Sequence, residues 1–344
     1  MHTMNGENNG VYFLGLKNSR VAMNTILQII TNPAVISLLV GFVWGMYRRP
    51  TIPTGFIDFI SLYLIFTIGL KGGMCLGVTN VCTPPLIGLT ICGVILGFVL
   101  PFIYFFILKK SSALDKQTAA VVASQYGSIS IVTFLTAITF LNQQMVPYDS
   151  FMSALAGIME IPAIFSGLLL LKSAHVKRST LVQSCLKISY EILSSKKINF
   201  IFLGFFVGFL LRDYQGYTLP TLILWPFTIM LILFMINTGL KIAQQRAHIS
   251  HFTWPLIAFA IYTPVISGCG ALALCYLLQI NVGSGLLFAV LVGSASYIAV
   301  PAIMSTHAPQ AKEGIYVPLA LGITLPFNLI FGIPLFYWIA RMVL

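Results

Sequence analysis

The sequence predicts an all-α integral membrane protein with about ten transmembrane helices, arranged as an inverted 5+5 repeat in which two helices are broken. Three observations carry this prediction. Hydrophobic residues make up 58% of the 344 residues and charged residues only 8%, whereas soluble domains carry about 25% charged residues. Apolar runs approach the roughly 20 residues that a bilayer requires. Short motifs also recur in the same order in both halves of the chain.

The candidate membrane helices, called spans one to ten, are the long apolar stretches of the chain. They lie at 33–47, 56–76, 86–108, 117–141, 150–171, 199–212, 219–240, 253–278, 283–305 and 315–342. A polar linker at 173–198 separates a first five-helix repeat at 33–172 from a second at 199–344. Residues 1–32 are polar and mixed, so we expect an interfacial or disordered segment there and no cleaved signal peptide.

Basic residues predict the orientation of the spans in the lipid bilayer. If the linker is cytoplasmic, most of the 19 lysine and arginine residues lie in loops on the linker's side of the membrane, as the positive-inside rule requires. Cytoplasmic loops then account for the net charge of +11. We therefore expect no nucleic-acid partner.

The internal repeat is visible in three pairs of motifs. Span two ends in TIGLKGG and span seven in NTGLKIA. Spans four and nine carry GSIS (Gly127–Ser130) and GSAS (Gly293–Ser296). Span five contains AGIMEIPAIFSGL and span ten contains LGITLPFNLIFGI. Because each half holds an odd number of spans, the second half enters the membrane in the opposite sense and the repeat is inverted.

The two Gly-Ser-x-Ser clusters predict that spans four and nine stop and restart in the middle of the membrane. Glycine costs about 1 kcal/mol relative to alanine inside a helix, and serine competes for its own backbone. A restarted helix offers free N–H groups and a positive dipole end, which attract an anion. Small residues also serve close helix packing, but two matched breaks favour the anion site of a secondary transporter.

Two sets of residues are candidates for this site. The substrate-binding set comprises Gly127, Ser128, Ile129, Ser130, Gly293, Ser294, Ala295 and Ser296. The ion-coupling set comprises Glu160, Thr133, Gln125, Asn237 and Asn328. An intramembrane carboxylate such as Glu160 is costly and indicates function. It could bind a sodium ion, carry a proton or make a structural hydrogen bond, while Asn328 lies in the equivalent part of span ten.

The sequence lacks the signature motifs of several classes of function. The chain has no GxxxxGK[ST] phosphate loop, no HExxH motif and no nucleophile–base arrangement. We therefore expect neither an ATP-driven pump nor an enzyme, and no cofactor apart from a coupling sodium ion.

The motifs resemble those of the sodium-dependent bicarbonate transporter family known from cyanobacteria. The resemblance rests on IGLKGG in span two, the two Ser-x-Ser breaks, GIMEIPA in span five, and APQAKEGIYVPLALGITLPFNLIFGIPLF through span ten. It covers nearly the whole chain from about residue 33.

The resemblance implies import of bicarbonate with sodium across a bacterial inner membrane. It implies a core domain that moves like an elevator against a gate domain, a homotrimer, and a cytoplasmic PII-like regulator. By position, it implies that Ser128–Ser130 and Ser294–Ser296 hold the anion with their backbone amides. Glu160 would lie in or beside the sodium shell.

Two departures from the family pattern leave alternatives open. Tyr297 stands where family members can carry an acidic residue, and the serine pattern of the first break thins to SISIVT. The alternatives are a sodium-coupled symporter of another small or organic anion, similar to bile-acid symporters, and an anion channel. A roomier, more apolar site would favour an organic anion, and a continuous polar stripe along several spans would favour a channel.

Overall fold

The computed structural model describes residues 33–48, 52–78, 83–172, 196–211, 225–244, 252–297 and 299–344, and every regular element in these ranges is helical. The predicted N-terminal segment, 1–32, and most of the predicted linker lie outside the described residues. The helices are α1 (Pro33–Tyr47), α2 (Thr54–Val78), α3 (Pro84–Ser111), α4 (Lys116–Gly127), α5 (Ile131–Gln143), α6 (Met152–Lys172), α7 (Lys196–Leu210), α8 (Phe227–Gln244), α9 (Trp254–Leu277), α10 (Val282–Val292) and α11 (Ala299–His307). A final helix, α12, comprises Glu313–Pro318, Leu325–Phe327 and Ile333–Val343, joined by π-helical turns at Leu319–Thr324 and Asn328–Gly332.

The helices have the lengths and surfaces of membrane spans. In the described ranges, five stretches are long and apolar enough to cross a bilayer, namely Pro84–Ser111, Lys116–Gln143, Met152–Leu171, Trp254–Leu277 and Gly314–Val343. Shorter apolar helices occur at Ile36–Tyr47, Thr54–Thr67, Phe227–Lys241 and Val282–Val292. Large apolar side chains point outward, as Phe106 does with 71% exposure. These features fit a multi-pass membrane protein.

One group of helices consists of α1, α2, α7 and α8. Here α2 packs along α7 and α1 packs along α8. A Cβ atom at Gly41 of α1 would lie 2.1 Å from the carbonyl oxygen of Ile236, and one at Gly208 of α7 would lie 2.1 Å from that of Leu70. The GxxxG spacing of GFVWG in α1 and GFFVG in α7 therefore lets the backbones touch, as small residues do in membrane proteins.

The second group contains α3 to α6 and α9 to α12. Its centre is formed by the short helices α4 and α10, which are buried from Thr118 to Gly127 and from Gly283 to Val292. They are arranged so that α10 lies beside α5 and α11 beside α4. The two groups touch where α2 meets α6 and where α8 meets the first π turn of α12. The breaks predicted from the sequence thus lie inside the second group.

Candidate functional site

The predicted interruptions of spans four and nine occur at the predicted residues. Helix α4 ends at Gly127, and α5 begins at Ile131 with Ser130 as its N-cap. Helix α10 ends at Val292, and the next helix begins at Ala299. The Ser130 hydroxyl accepts hydrogen bonds from the Thr133 N–H (3.3 Å) and the Thr133 hydroxyl (2.8 Å). This cap satisfies one N–H group that the first helical turn leaves without a partner.

The two breaks contact each other directly. The N–H of Ser130 donates to Oγ of Ser294 at 2.8 Å. The N–H of Ser296 donates to the carbonyl oxygen of Gln125 at 2.8 Å. Residues from the two halves of the chain, more than 160 positions apart, therefore form one buried structure, as the anion-site hypothesis requires.

A small pocket opens at this junction. It is lined by Ile129, Ser130, Ile131, Glu160, Ser296 and Tyr297, and in this conformation it leaves no room for a water molecule. Glu160 is only 6% exposed and contributes the carboxyl group of this lining. The pocket therefore combines a carboxylate, two serines and the start of helix α5, whose dipole is positive at this end. Such a set of groups offers oxygen ligands to a cation and hydrogen-bond donors to an anion.

Four buried polar atoms near the breaks have no hydrogen-bond partner among the described residues. They are Nε2 and Oε1 of Gln125, Oγ of Ser128 and Oδ1 of Asn328. A buried polar group left unpaired costs about 1–3 kcal/mol. Native proteins keep few such groups, and those that persist commonly serve a bound ion or water. Their concentration at the breaks makes these atoms candidates for contact with a bound ion or water.

Other serine oxygens at the breaks already have protein partners. Oγ of Ser294 accepts from the Ser130 N–H and donates to the carbonyl oxygen of Leu291 at 3.1 Å. Oγ of Ser296 accepts from the Val300 N–H at 3.4 Å. The Ser294 hydroxyl therefore joins the two breaks, and the Ser296 hydroxyl accepts from the helix that follows the second break. Residue spacing alone could not separate these roles from ligand binding.

Each break is backed by a proline-containing helix. A Cβ atom at Gly127 would lie 2.2 Å from Cγ of Pro101 in α3, and one at Gly293 would lie 2.7 Å from the carbonyl oxygen of Pro264 in α9. Only glycine fits such close approaches. Sequence reasoning missed both prolines, although a proline inside an apolar span is itself a signal of a local kink.

The ion-coupling candidates do not all lie at the breaks. Thr133 and Gln125 lie at the first break, and Nδ2 of Asn328 donates to the carbonyl oxygen of Gly293 at 2.8 Å. Asn328 therefore supports the second break from a π turn of α12. Asn237 is buried on α8 and does not line the pocket. The contact from α8 comes instead from Phe234, which stacks on Tyr297 with ring centroids 6.5 Å apart.

The sequence analysis did not include two further residues that lie at or beside the site. Tyr297 lines the pocket, although the sequence drew attention to it only as a departure from the family pattern. Thr324, in the first π turn, donates to the carbonyl oxygen of Ala260 at 2.9 Å and is hydrogen-bonded to the Tyr126 hydroxyl. This chain of bonds ties the residue before the first break to α9 and α12. No sequence signal marked Thr324 apart from its place beside the conspicuous LPFN run.

Comparison with known proteins identifies the family. The model of the Na+-dependent bicarbonate transporter superfamily matches residues 33–341. A search of curated proteins finds no match. Among the described residues, no group of three or more His, Cys, Asp or Glu side chains could hold a metal ion. Because the family model spans nearly the whole chain, the resemblance seen in the motifs is confirmed, and this protein belongs to the Na+-dependent bicarbonate transporter superfamily.

Proposed function

We propose that this protein imports bicarbonate together with sodium, and that both ions bind where the two helix breaks meet. The observation that carries the proposal is the pocket in which Ser130, Ser296 and Tyr297 surround the buried Glu160. Membership of the superfamily supplies the substrate and the coupling ion.

The anion would be held by groups from the first break. In a helix that begins at Ile131, the N–H groups of Ile131 and Val132 have no carbonyl partner within the helix. Oγ of Ser128 adds a donor that no described residue uses. Bicarbonate is planar, singly charged and rich in acceptor oxygens, so it suits several converging donors.

The size of the pocket favours a small anion over an organic one. Sites for drug-sized molecules enclose about 300–1,000 Å³, whereas this pocket leaves no room even for a water molecule in this conformation. A bile-acid-like substrate would require a much larger opening.

Sodium would bind on the carboxylate side of the pocket. Hard cations prefer oxygen ligands, and Glu160 and Oε1 of Gln125 supply such oxygens. Two opposite charges attract each other strongly where water is scarce, so each bound ion lowers the cost of burying the other. This mutual stabilisation is the physical basis that we propose for coupled transport.

The proposed movement is an elevator motion of the second helix group, as the core, against the first, as the gate. Its support is the division of the described helices into two groups, which meet where α2 packs on α6 and where α8 packs on α12 and Tyr297. An inverted repeat is supported by matched features, since GxxxG in α1 corresponds to GxxxG in α7 and Pro101 to Pro264. The homotrimer, the PII-like regulator and the cytoplasmic orientation of the basic loops stay predictions of the sequence and its resemblance.

The site assignment is tested by uptake of labelled bicarbonate into proteoliposomes under an inward sodium gradient. We expect Ser130→Leu and Ser296→Leu to abolish uptake, because each fills the pocket with an apolar side chain. Thr139→Leu is the matched control, since the Thr139 hydroxyl bonds only to its own helix, at Leu135. Thermal melting of the purified proteins checks folding. Normal uptake by both folded serine variants would refute the assignment.

A further inference from the structure

Two polar clusters at opposite ends of the crossed broken helices join the two halves of the chain. The first, called the Thr118 clamp, consists of Asp115, Thr118 and Lys312. The second, called the Asp149 clamp, consists of Asp149, Asn281 and Ser284. Neither cluster lines the pocket at the breaks, and the proposed transport chemistry uses neither of them.

The Thr118 clamp fastens the start of α4 to the loop that enters α12. The Asp115 carboxylate caps α4 by accepting from the Thr118 N–H (3.0 Å) and the Thr118 hydroxyl (2.7 Å). The same hydroxyl oxygen accepts from the backbone N–H of Lys312 at 2.9 Å. Partial burial raises the pKa of the Asp115 carboxyl, but the bonds from Thr118 and the charge of Lys312 outweigh it and lower the pKa below its ordinary value. The carboxylate is therefore ionised at neutral pH.

The Asp149 clamp makes the same connection with the two halves exchanged. Asn281 caps α10 by accepting from the Ser284 N–H at 2.8 Å. Oγ of Ser284 accepts from the backbone N–H of Asp149 at 2.8 Å and donates to its carboxylate at 2.7 Å. The Asn281 side chain donates to the same carboxylate at 2.8 Å. Here the loop that enters α6 is fastened to the start of α10.

The correspondence between the clamps extends to the residue that directly precedes Thr118 in one and Ser284 in the other. In the Thr118 clamp, the Gln117 side chain bonds to Gln310 of the loop at 3.4 Å. In the Asp149 clamp, the equivalent position is Gly283, where a Cβ atom would lie 2.2 Å from the carbonyl oxygen of Pro147. Both loops therefore rest directly on the first turn of a broken helix from the other half of the chain.

We propose that the two clamps position the helix breaks, and that both stay closed throughout the transport cycle. Each clamp fixes one end of a rigid rod, α4 or α10, whose other end is a break. The rise of 1.5 Å per residue places Thr118 about 15 Å from Ser128. Each clamp also anchors the helix that supports the breaks, since α6 carries Glu160 and α12 carries Asn328. The clamp residues are thus positioning residues that act without touching an ion.

The inference rests on the proposed transport function, and one of its tests does not depend on transport. We expect Thr118→Ala and Ser284→Ala each to speed amide hydrogen exchange in peptides that cover residues 125–131 and 293–300, because the breaks lose their alignment. Thr118→Ser and Ser284→Thr keep the hydroxyl and should keep the parental exchange. Thr139→Ala, outside both clamps, is the control. Unchanged exchange at the breaks in both alanine variants would overturn the proposal even if the parent protein carried no bicarbonate.

The second test measures transport. Relative to the parent protein, Thr118→Ala and Ser284→Ala should each raise the KM for bicarbonate about tenfold, with a smaller change in maximal rate. Asp149→Cys combined with Ser284→Cys, in a background without the six native cysteines, replaces the clamp by a disulfide bond. We expect low uptake in the reduced form and recovery after oxidation. A block of uptake by oxidation would contradict a clamp that stays closed, whereas failure of the parent to transport bicarbonate would contradict the proposed function instead.

Discussion

At the scale of single residues, the structure separates serines with similar sequence positions into two roles. Oγ of Ser128 has no partner among the described residues, whereas Oγ of Ser294 joins the two breaks. Sequence spacing placed all of these serines in one candidate site, because it cannot reveal which hydroxyl groups the folded protein already uses. The difference leads to distinct expectations for their variants.

Ser128→Ala should weaken bicarbonate binding without weakening the fold. Losing one hydrogen bond to a charged ligand costs about 1.5–3 kcal/mol, which corresponds to a KM raised roughly tenfold to a hundredfold. The melting temperature should stay at the parental value, because no protein contact is lost. Ser294→Ala is the comparison and should lower the melting temperature, since it leaves the buried Ser130 N–H unpaired. An equal loss of stability in the two variants would contradict the assignment of Ser128 to the ligand.

Glu160→Gln should weaken sodium binding more than anion binding. The substitution keeps the shape of the side chain in the pocket and removes its negative charge. We expect the sodium concentration for half-maximal uptake to rise at least tenfold, with a smaller change in KM for bicarbonate at saturating sodium. Glu160→Asp, which keeps the charge, should be less affected. A parental sodium dependence in Glu160→Gln would show that the carboxylate has a different role.

Tyr297→Phe tests whether the hydroxyl group touches a bound ion. The ring can still stack on Phe234, so folding should be preserved. We expect a rise in KM for bicarbonate of about tenfold, the effect of one lost hydrogen bond. Tyr276→Phe, at an exposed position of α9, is the control. A parental KM in Tyr297→Phe would remove this residue from the site.

At the scale of helices, the interruptions were predictable and their supports were not. The breaks follow from local costs, because glycine and serine disfavour helix at the residues that carry them. The supports depend on contacts between distant segments, such as Gly127 against Pro101. The π turns of α12 also lacked a direct signal, although Pro318, Pro326 and Pro334 each remove a backbone donor from this helix.

Gly127→Ala should disturb the first break through α3. The added methyl group would lie 2.2 Å from Cγ of Pro101, and the proline ring cannot rotate away. Overpacking of this kind costs about 1–3 kcal/mol, so we expect a lower melting temperature and reduced uptake. Gly270→Ala is the matched control, since nothing lies within 4 Å of its Cβ position. Equal stability of the two variants would argue against close packing of α3 on the break.

At the scale of the whole molecule, the sequence predicted the membrane environment and the positions of the helix breaks better than the grouping of helices. Sparse charge and long apolar runs indicate that the protein lies in a membrane. The matched motifs indicate that the two breaks occupy corresponding positions in the two halves of the chain. The division into two helix groups depends on which faces pack, and an apolar sequence in lipid carries little information on this point. In the sequence, the GxxxG spacings in α1 and α7 are a signal for the close helix packing of the first group.

In the proposed function, bicarbonate and sodium cross the membrane together through the pocket at the breaks. The most direct measurement is simultaneous uptake of labelled bicarbonate and labelled sodium into proteoliposomes that start with an inward sodium gradient and equal bicarbonate on both sides. The proposed function predicts that bicarbonate accumulates inside above its external concentration, in a fixed ratio to sodium, and that a sodium ionophore prevents this. Bicarbonate that only equilibrates, or sodium entry that does not depend on bicarbonate, would contradict it.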